Sequence, residues 1–203
     1  MGITPQQFEQ MKRRVGGTRR AAVPVFANSH RPTTAGSNQV ILGIDPSLRG
    51  TGFGVIRLGQ PLPAMLACGT ITCPASWEHS RCLVKISQTL REVVKQTKPT
   101  VCVVEGLFFA QNLQTAIIMG AARGAAIAAV AESGLEIYEL APRKVKQAIV
   151  GYGAAQKFAV AKMVQRRLAL RELPEPDAAD ALALALAHAQ GAGRFSLSAP
   201  KRI

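Results

Sequence analysis

The run Val40-Ile41-Leu42-Gly43-Ile44-Asp45 constrains the chain most. Apolar and small residues closed by Pro46-Ser47-Leu48-Arg49-Gly50-Thr51-Gly52 have the composition of a buried strand followed by a turn. Such a strand leaves its last residue, Asp45, at the rim of a sheet. Aspartate is disfavoured within strands, so its presence requires either a hydrogen bond into the turn, toward Ser47 and Leu48, or a metal ion. The rarity of the residue sharpens the question. Asp45, Asp177 and Asp180 are the only aspartates in 203 residues, and each stands at an element boundary beside an apolar run.

Charge points to the partner. Against 12 acidic residues the chain carries 25 Lys and Arg, a net charge of +13, which predicts a polyanion, most simply nucleic acid. Ribosomal and membrane-surface proteins share that balance, so charge alone names no chemistry. With 48% hydrophobic and 18% charged residues the composition is that of a globular domain. Cys68, Cys73, Cys82 and Cys102 have neither Cys-x-x-Cys spacing nor a neighbouring histidine pair, so reduced intracellular thiols are expected rather than a zinc site. The longest apolar stretch, 116–131, is interrupted by Arg123 and falls short of a bilayer span, so no membrane anchor is expected.

Residues 1–38 hold six Lys or Arg and the single acid Glu9 with no sustained apolar period, the pattern of a basic, disordered arm on nucleic acid rather than an organellar targeting segment. The domain proper runs over 39–190. Three apolar runs, 40–44, 52–58 and 65–72, follow one another through short turns and predict antiparallel neighbours. Residues 77–97 change period, placing Cys82, Leu83, Ile86, Leu90, Val93 and Val94 on one face of a helix that stops before Pro99. Val101-Cys102-Val103-Val104-Glu105 then repeats the first pattern, a buried strand ending in a carboxylate. A strand, a helix and a returning strand are parallel, so Asp45 and Glu105 end on the same side and can meet.

An Ala-rich helix over 116–133 carries Gly120 and Gly124 on one face, open to close approach by the sheet or by a second chain. After a strand at 135–140, residues 142–171 contain Arg143, Lys144, Lys146, Lys157, Lys162, Arg166, Arg167 and Arg171 and no acid, which reads as a phosphate track. Pro174-Glu175-Pro176-Asp177-Ala178-Ala179-Asp180 opens the last helix, which runs through Ala181–Ala189 and stops at Gly191, with Asp177 and Asp180 on one face; 191–203 form a short basic tail. The expected architecture is α/β: a mixed five-stranded sheet, three antiparallel strands first and parallel strands after, flanked by helices.

Asp45, Glu105, Asp177 and Asp180 therefore form a candidate cluster that needs counter-charge. An all-oxygen donor set selects Mg2+, with Mn2+ as a substitute, over zinc. Two such ions, roughly 4 Å apart, suit phosphodiester hydrolysis.

Gly43-Ile44-Asp45-Pro46-Ser47, Val104-Glu105-Gly106-Leu107-Phe108-Phe109, Val145-Lys146-Gln147 with Val150-Gly151-Tyr152-Gly153-Ala154-Ala155-Gln156-Lys157, and Asp177-Ala178-Ala179-Asp180-Ala181-Leu182-Ala183 together resemble the RuvC family of bacterial Holliday-junction resolvases. The likeness is collinear from about residue 40 to about 189. It implies a ribonuclease H-like fold and a cytoplasmic homodimer. The homodimer would nick two opposed strands of a four-way DNA junction symmetrically in recombination and repair, working with the RuvA–RuvB branch-migration complex. It implies Asp45, Glu105, Asp177 and Asp180 as catalytic metal ligands, Lys146 and Lys157 as DNA contacts and Phe108 as an aromatic that stacks at the junction. Arg143 and Lys144 join the DNA-binding set from the basic track. Ser47 stands where the family usually has glycine, and Gly106 where a larger polar residue is common. Other readings are a non-catalytic DNA-binding module, another ribonuclease H-fold nuclease or transposase, and a phosphotransferase of the actin and sugar-kinase type suggested by Gly50-Thr51-Gly52.

Overall fold

A computed structural model describes residues 39–106, 112–191 and 201–203. The first hairpin pairs β1 (Val40–Asp45) with β2 (Gly50–Arg57), and β3 (Ala64–Thr72) adds antiparallel to β2. Helix α1 (His79–Thr97) returns the chain so that β4 (Val101–Glu105) lies parallel to β1. Helix α2 (Leu113–Ala131) does the same for β5 (Glu136–Leu140), and α3 (Pro142–Val150), α4 (Lys157–Arg167) and α5 (Pro176–Gly191) follow. The sheet order is β3-β2-β1-β4-β5-β6. The sixth strand, β6 (Lys201–Arg202), corrects the expected count of five. The end of the basic tail pairs antiparallel with β5, and Arg202 Nη1 lies 3.1 Å from Glu136 Oε1.

Strand alternation sorts the core into two layers. Leu42, Ile44, Cys102 and Val104 face α1 and α2, whereas Ile41, Val101 and Val103 face α3, α4 and α5. Helix α1 buries Cys82, Ile86, Leu90, Val93 and Val94, as its period requires, and ends at Lys98, whose N–H donates to the Val94 carbonyl and whose left-handed φ of 47° turns the chain out of the helix. The four cysteines are free thiols inside these layers. His188 is buried on α5 with its ring 5.0 Å from that of Tyr138.

Helix α5 lies directly on the hairpin. A Cβ at Gly43 would stand 2.0 Å from the Ala181 carbonyl oxygen, one at Gly52 2.0 Å from the Asp177 carbonyl oxygen, and one at Gly54 2.7 Å from Leu182 Cγ. Gly43 and Gly54 are cross-strand partners, and Gly52 is the partner of Asp45. Together they make a bare patch of sheet on which a helix backbone can rest. The Ala-rich first turns of α5 match it, with Ala178, Ala179, Ala181 and Ala185 all buried. Small residues on both surfaces bring the helix start against the end of β1.

Candidate active site

The same alternation aims the acids. Residues 41, 43 and 45 of β1 and 101, 103 and 105 of β4 share the face covered by α5, so Asp45 and Glu105 point toward the helix that carries Asp177 and Asp180. With Ile44 opposite Val104, the two carboxylates follow side by side as the last residues of parallel strands. They share a hydrogen bond. The turn after β1 makes no demand on Asp45: Thr51 Oγ1 donates to the Ser47 carbonyl at 2.5 Å and accepts from the Ser47 N–H at 3.2 Å. The hydroxyl of Thr51 closes the turn, which leaves the Asp45 carboxyl to Glu105.

Burial pushes the Glu105 carboxyl up to about 8, and the neighbouring Asp45 and Asp180 charges add to the rise. The Asp45 carboxyl is also raised, first by burial and then by Asp180 and Asp177, although the Glu105 hydrogen bond and Lys157 oppose the shift. Burial and mutual repulsion therefore favour a proton shared by the two carboxyls. Lys157 Nζ lies 2.8 Å from Asp180 Oδ2, and its ammonium is stabilised first by that bond and then by the charges of Asp45 and Asp177. The carboxylate of Asp177 lies over Gly50, where a Cβ would meet its Oδ2 at 2.8 Å.

The other three acids thus fall within electrostatic reach of Asp45, but the four do not close a cage. Among the described residues no three His, Cys, Asp or Glu side chains converge as a ready-made cation site. Asp45 and Glu105 are in contact, whereas Asp180 is turned to Lys157. The donor chemistry still fits hard divalent cations. The set is all oxygen and partly buried, and a shared proton and the Lys157 ammonium offset only part of its charge. Both are readily displaced. The Lys157 side chain is 68% exposed, and such ion pairs contribute only about 0–1 kcal/mol.

The basic track divides into two roles. Arg143, Lys144 and Lys146 line a cavity of about 810 Å³ beside the start of α3. Arg167 does not face a polyanion. Its Nη2 donates to the carbonyls of Ala148 and Ile149 at 3.1 and 2.8 Å, tying α4 to the end of α3. Phe108 lies in 107–111, outside the described residues.

Two groups escaped the sequence reading. Thr51 is one. The other is Arg123, which crosses from α2 to pair with Glu139 on β5 and donates Nε to the Glu105 carbonyl oxygen at 3.4 Å, anchoring the end of β4. A lone arginine inside an apolar helix was its signal, since such a charge needs a buried partner.

A mixed sheet of three antiparallel strands followed by parallel ones, with acids gathered at the end of the central pair, defines a protein of the ribonuclease H-like class. The profile of the crossover junction endodeoxyribonuclease RuvC family matches residues 41–188, and the chain belongs to that family. A RuvC of Akkermansia muciniphila is 47% identical over 148 residues, 73% of this chain and 89% of the relative. One of Chloroflexus aurantiacus is 40% identical over 161 residues, 77% of this chain and 98% of the relative. Among solved structures, Thermus thermophilus RuvC in complex with Holliday junction substrate superposes with a TM-score of 0.72 at 33% identity, covering 81% of this chain and 99% of the other.

Proposed function

We propose that the protein is a structure-selective endodeoxyribonuclease. It resolves four-way DNA junctions by paired, symmetric, magnesium-dependent nicks in recombination and repair. The observation that carries the reading is the Asp45–Glu105 pair, two carboxyls pressed together at the ends of parallel strands under the helix that bears Asp177 and Asp180. Nuclease chemistry is assigned to residues 39–190, with 1–38 as a basic arm and 191–203 as a tail.

Asp45, Glu105, Asp177 and Asp180 would hold the metal. Bound there, Mg2+ supplies an activated water and charge for the departing oxygen. The remaining chemistry falls to the chain. Glu105 would bind the cation as a carboxylate, its proton passing to solvent. Lys157 leaves Asp180 for a phosphate oxygen beside the cut, while Arg143, Lys144 and Lys146 hold the backbone further along the strand. We assign Phe108 to stacking at the branch point from the family resemblance.

Incubating the protein with a labelled four-way junction and a matched linear duplex, in Mg2+ and then in EDTA, tests the reading. Paired nicks in the junction alone, abolished by EDTA, are expected. Binding without cutting would reduce the protein to a DNA-binding module, and equal cutting of both substrates would make it a general nuclease.

Symmetric nicking calls for two active sites, and α2 offers the seam. By length and hydropathy it could cross a bilayer, yet Arg123 pairs with Glu139 and its inner face, Ala122, Ala126, Ala129 and Val130, is buried. The outer face is bare: Leu113 is 77% and Ile117 62% exposed, and a Cβ at Gly120 or Gly124 would meet nothing within 4 Å. The glycines therefore do not serve packing against the sheet, and a second copy of this helix is the occupant we assign, in a cytoplasmic homodimer that works with RuvA–RuvB. Sedimentation of Gly120→Leu should show a shift toward monomer at micromolar concentration. An unchanged dimer would discard the seam.

A further inference from the structure

The glycine-flanked Tyr152 has no part in the chemistry above, yet it occupies a built position. Helix α3 ends at Gly151, whose φ of 102° turns the chain sharply and carries Tyr152 out onto the wall of the 810 Å³ cavity. Gly153 completes the turn with no side chain, so the Arg143 side chain lies directly across it; a Cβ there would stand 2.8 Å from Arg143 Cγ. Tyr152, Arg143, whose side chain lies against the Gly153 backbone, and Lys146 thus line one concavity. Tyr152 is 56% exposed. Among the described residues the only other large aromatic this exposed is Phe158, at 64%, on the other side of the same loop and next to Lys157. Both rings stand in the acid-free basic segment.

Exposed rings set in positive surface are the means by which proteins hold single strands, with phosphates on cations and base faces on aromatics. Duplex DNA presents base edges and phosphates to a protein, its base faces being covered by neighbouring pairs. A ring in a concavity therefore suits a base that has left the stack.

We propose that this cavity is a subsite for one unpaired nucleotide of a DNA strand, its base on the Tyr152 ring and its phosphate held by Arg143 and Lys146. Tyr152 and Lys157 are five positions apart, a reach of at most about 18 Å, so the nucleotide lies within a few positions of the acid cluster. Its place relative to the cut rests on the endonuclease reading; the capture of an unpaired nucleotide does not.

The test uses the full chain and a fluorescein-labelled oligothymidylate in EDTA, read by anisotropy over a range of salt, with a linear duplex of equal length as comparison. Tyr152→Ala should weaken oligothymidylate binding by about tenfold, the loss of one stacked base, with the salt slope unchanged. Tyr152→Phe should restore affinity to within about twofold, because stacking needs the ring and not the hydroxyl. Arg143→Ala should instead lower the salt slope by about 0.7, one phosphate on a single strand. Wild-type affinity in Tyr152→Ala, failure of Tyr152→Phe to recover it, or an equal loss on the duplex would overturn the subsite. Wild-type junction nicking is scored separately. Its absence beside the expected Tyr152 results would leave the subsite standing and sink the endonuclease reading.

Discussion

Glu105→Gln should abolish junction nicking, by about three orders of magnitude or more, while junction binding is retained. The substitution keeps side-chain shape and a hydrogen bond toward Asp45 but removes one carboxylate of the proposed metal site and no positive charge. Asp177→Asn should act in the same direction. The Glu105 variant carries a second, opposite signature in its stability. The carboxyl of Glu105 binds its proton up to about pH 8 in the folded protein and up to about 4.5 in the unfolded chain. Between those values the folded state holds more protons, so raising the pH across this window destabilises the cation-free protein. Glu105→Gln removes that loss, and its melting temperature in EDTA near pH 8 should exceed that of wild type. Added Mg2+ should stabilise wild type at that pH far more than the variant. Near-normal nicking would remove Glu105 from the site, and a wild-type stability flat from pH 4.5 to 8 would contradict the raised carboxyl.

Gly52→Ala should be among the most damaging single-methyl changes in the domain. The added carbon would stand 2.0 Å from the Asp177 carbonyl oxygen and 2.5 Å from its carbonyl carbon, and neither backbone atom can swing aside. Overpacking ordinarily costs about 1–3 kcal/mol, and a clash against helix backbone falls at or above the top of that range. The helix must lift from the hairpin, and Asp177 and Asp180 lift with it. Urea unfolding should show a lower midpoint, and nicking should fall further than the fraction folded. Gly191→Ala, where a Cβ would meet nothing within 4 Å, supplies the control and should leave the midpoint nearly unchanged. A wild-type midpoint in Gly52→Ala would mean that α5 does not rest on the hairpin.

Much of this was legible in the chain because the relevant signals are local. Apolar runs ending on Asp45 and Glu105, a helical period from Cys82 to Val94 and the proline-rich start and Gly191 end of the last helix each depend on neighbours in sequence, and the strands and helices fall close to where those signals put them. The order of strand, helix and strand gave parallel pairing, and with it the meeting of the two acids. The contributions of Thr51, Arg123 and the glycine patch could not be read so directly, because each acts across the fold. Thr51 relieves Asp45 of the turn, Arg123 reaches from α2 to the Glu105 carbonyl, and Gly43, Gly52 and Gly54 matter only once a helix arrives from 130 residues away.

The charges separate the two levels most clearly. The sequence by itself determined which residue types are present and their spacing: three aspartates, a glutamate closing a buried strand, and an acid-free basic stretch. Only the tertiary structure decided how each is used. It raised the Glu105 carboxyl by burying it against Asp45, gave Asp180 to Lys157, and turned Arg167 inward to two carbonyls while Arg143 lies on Gly153 beside Tyr152. The physical reason is range. Strand and helix preferences act over a few residues, whereas desolvation and charge pairing depend on whatever the finished fold brings within a few ångströms.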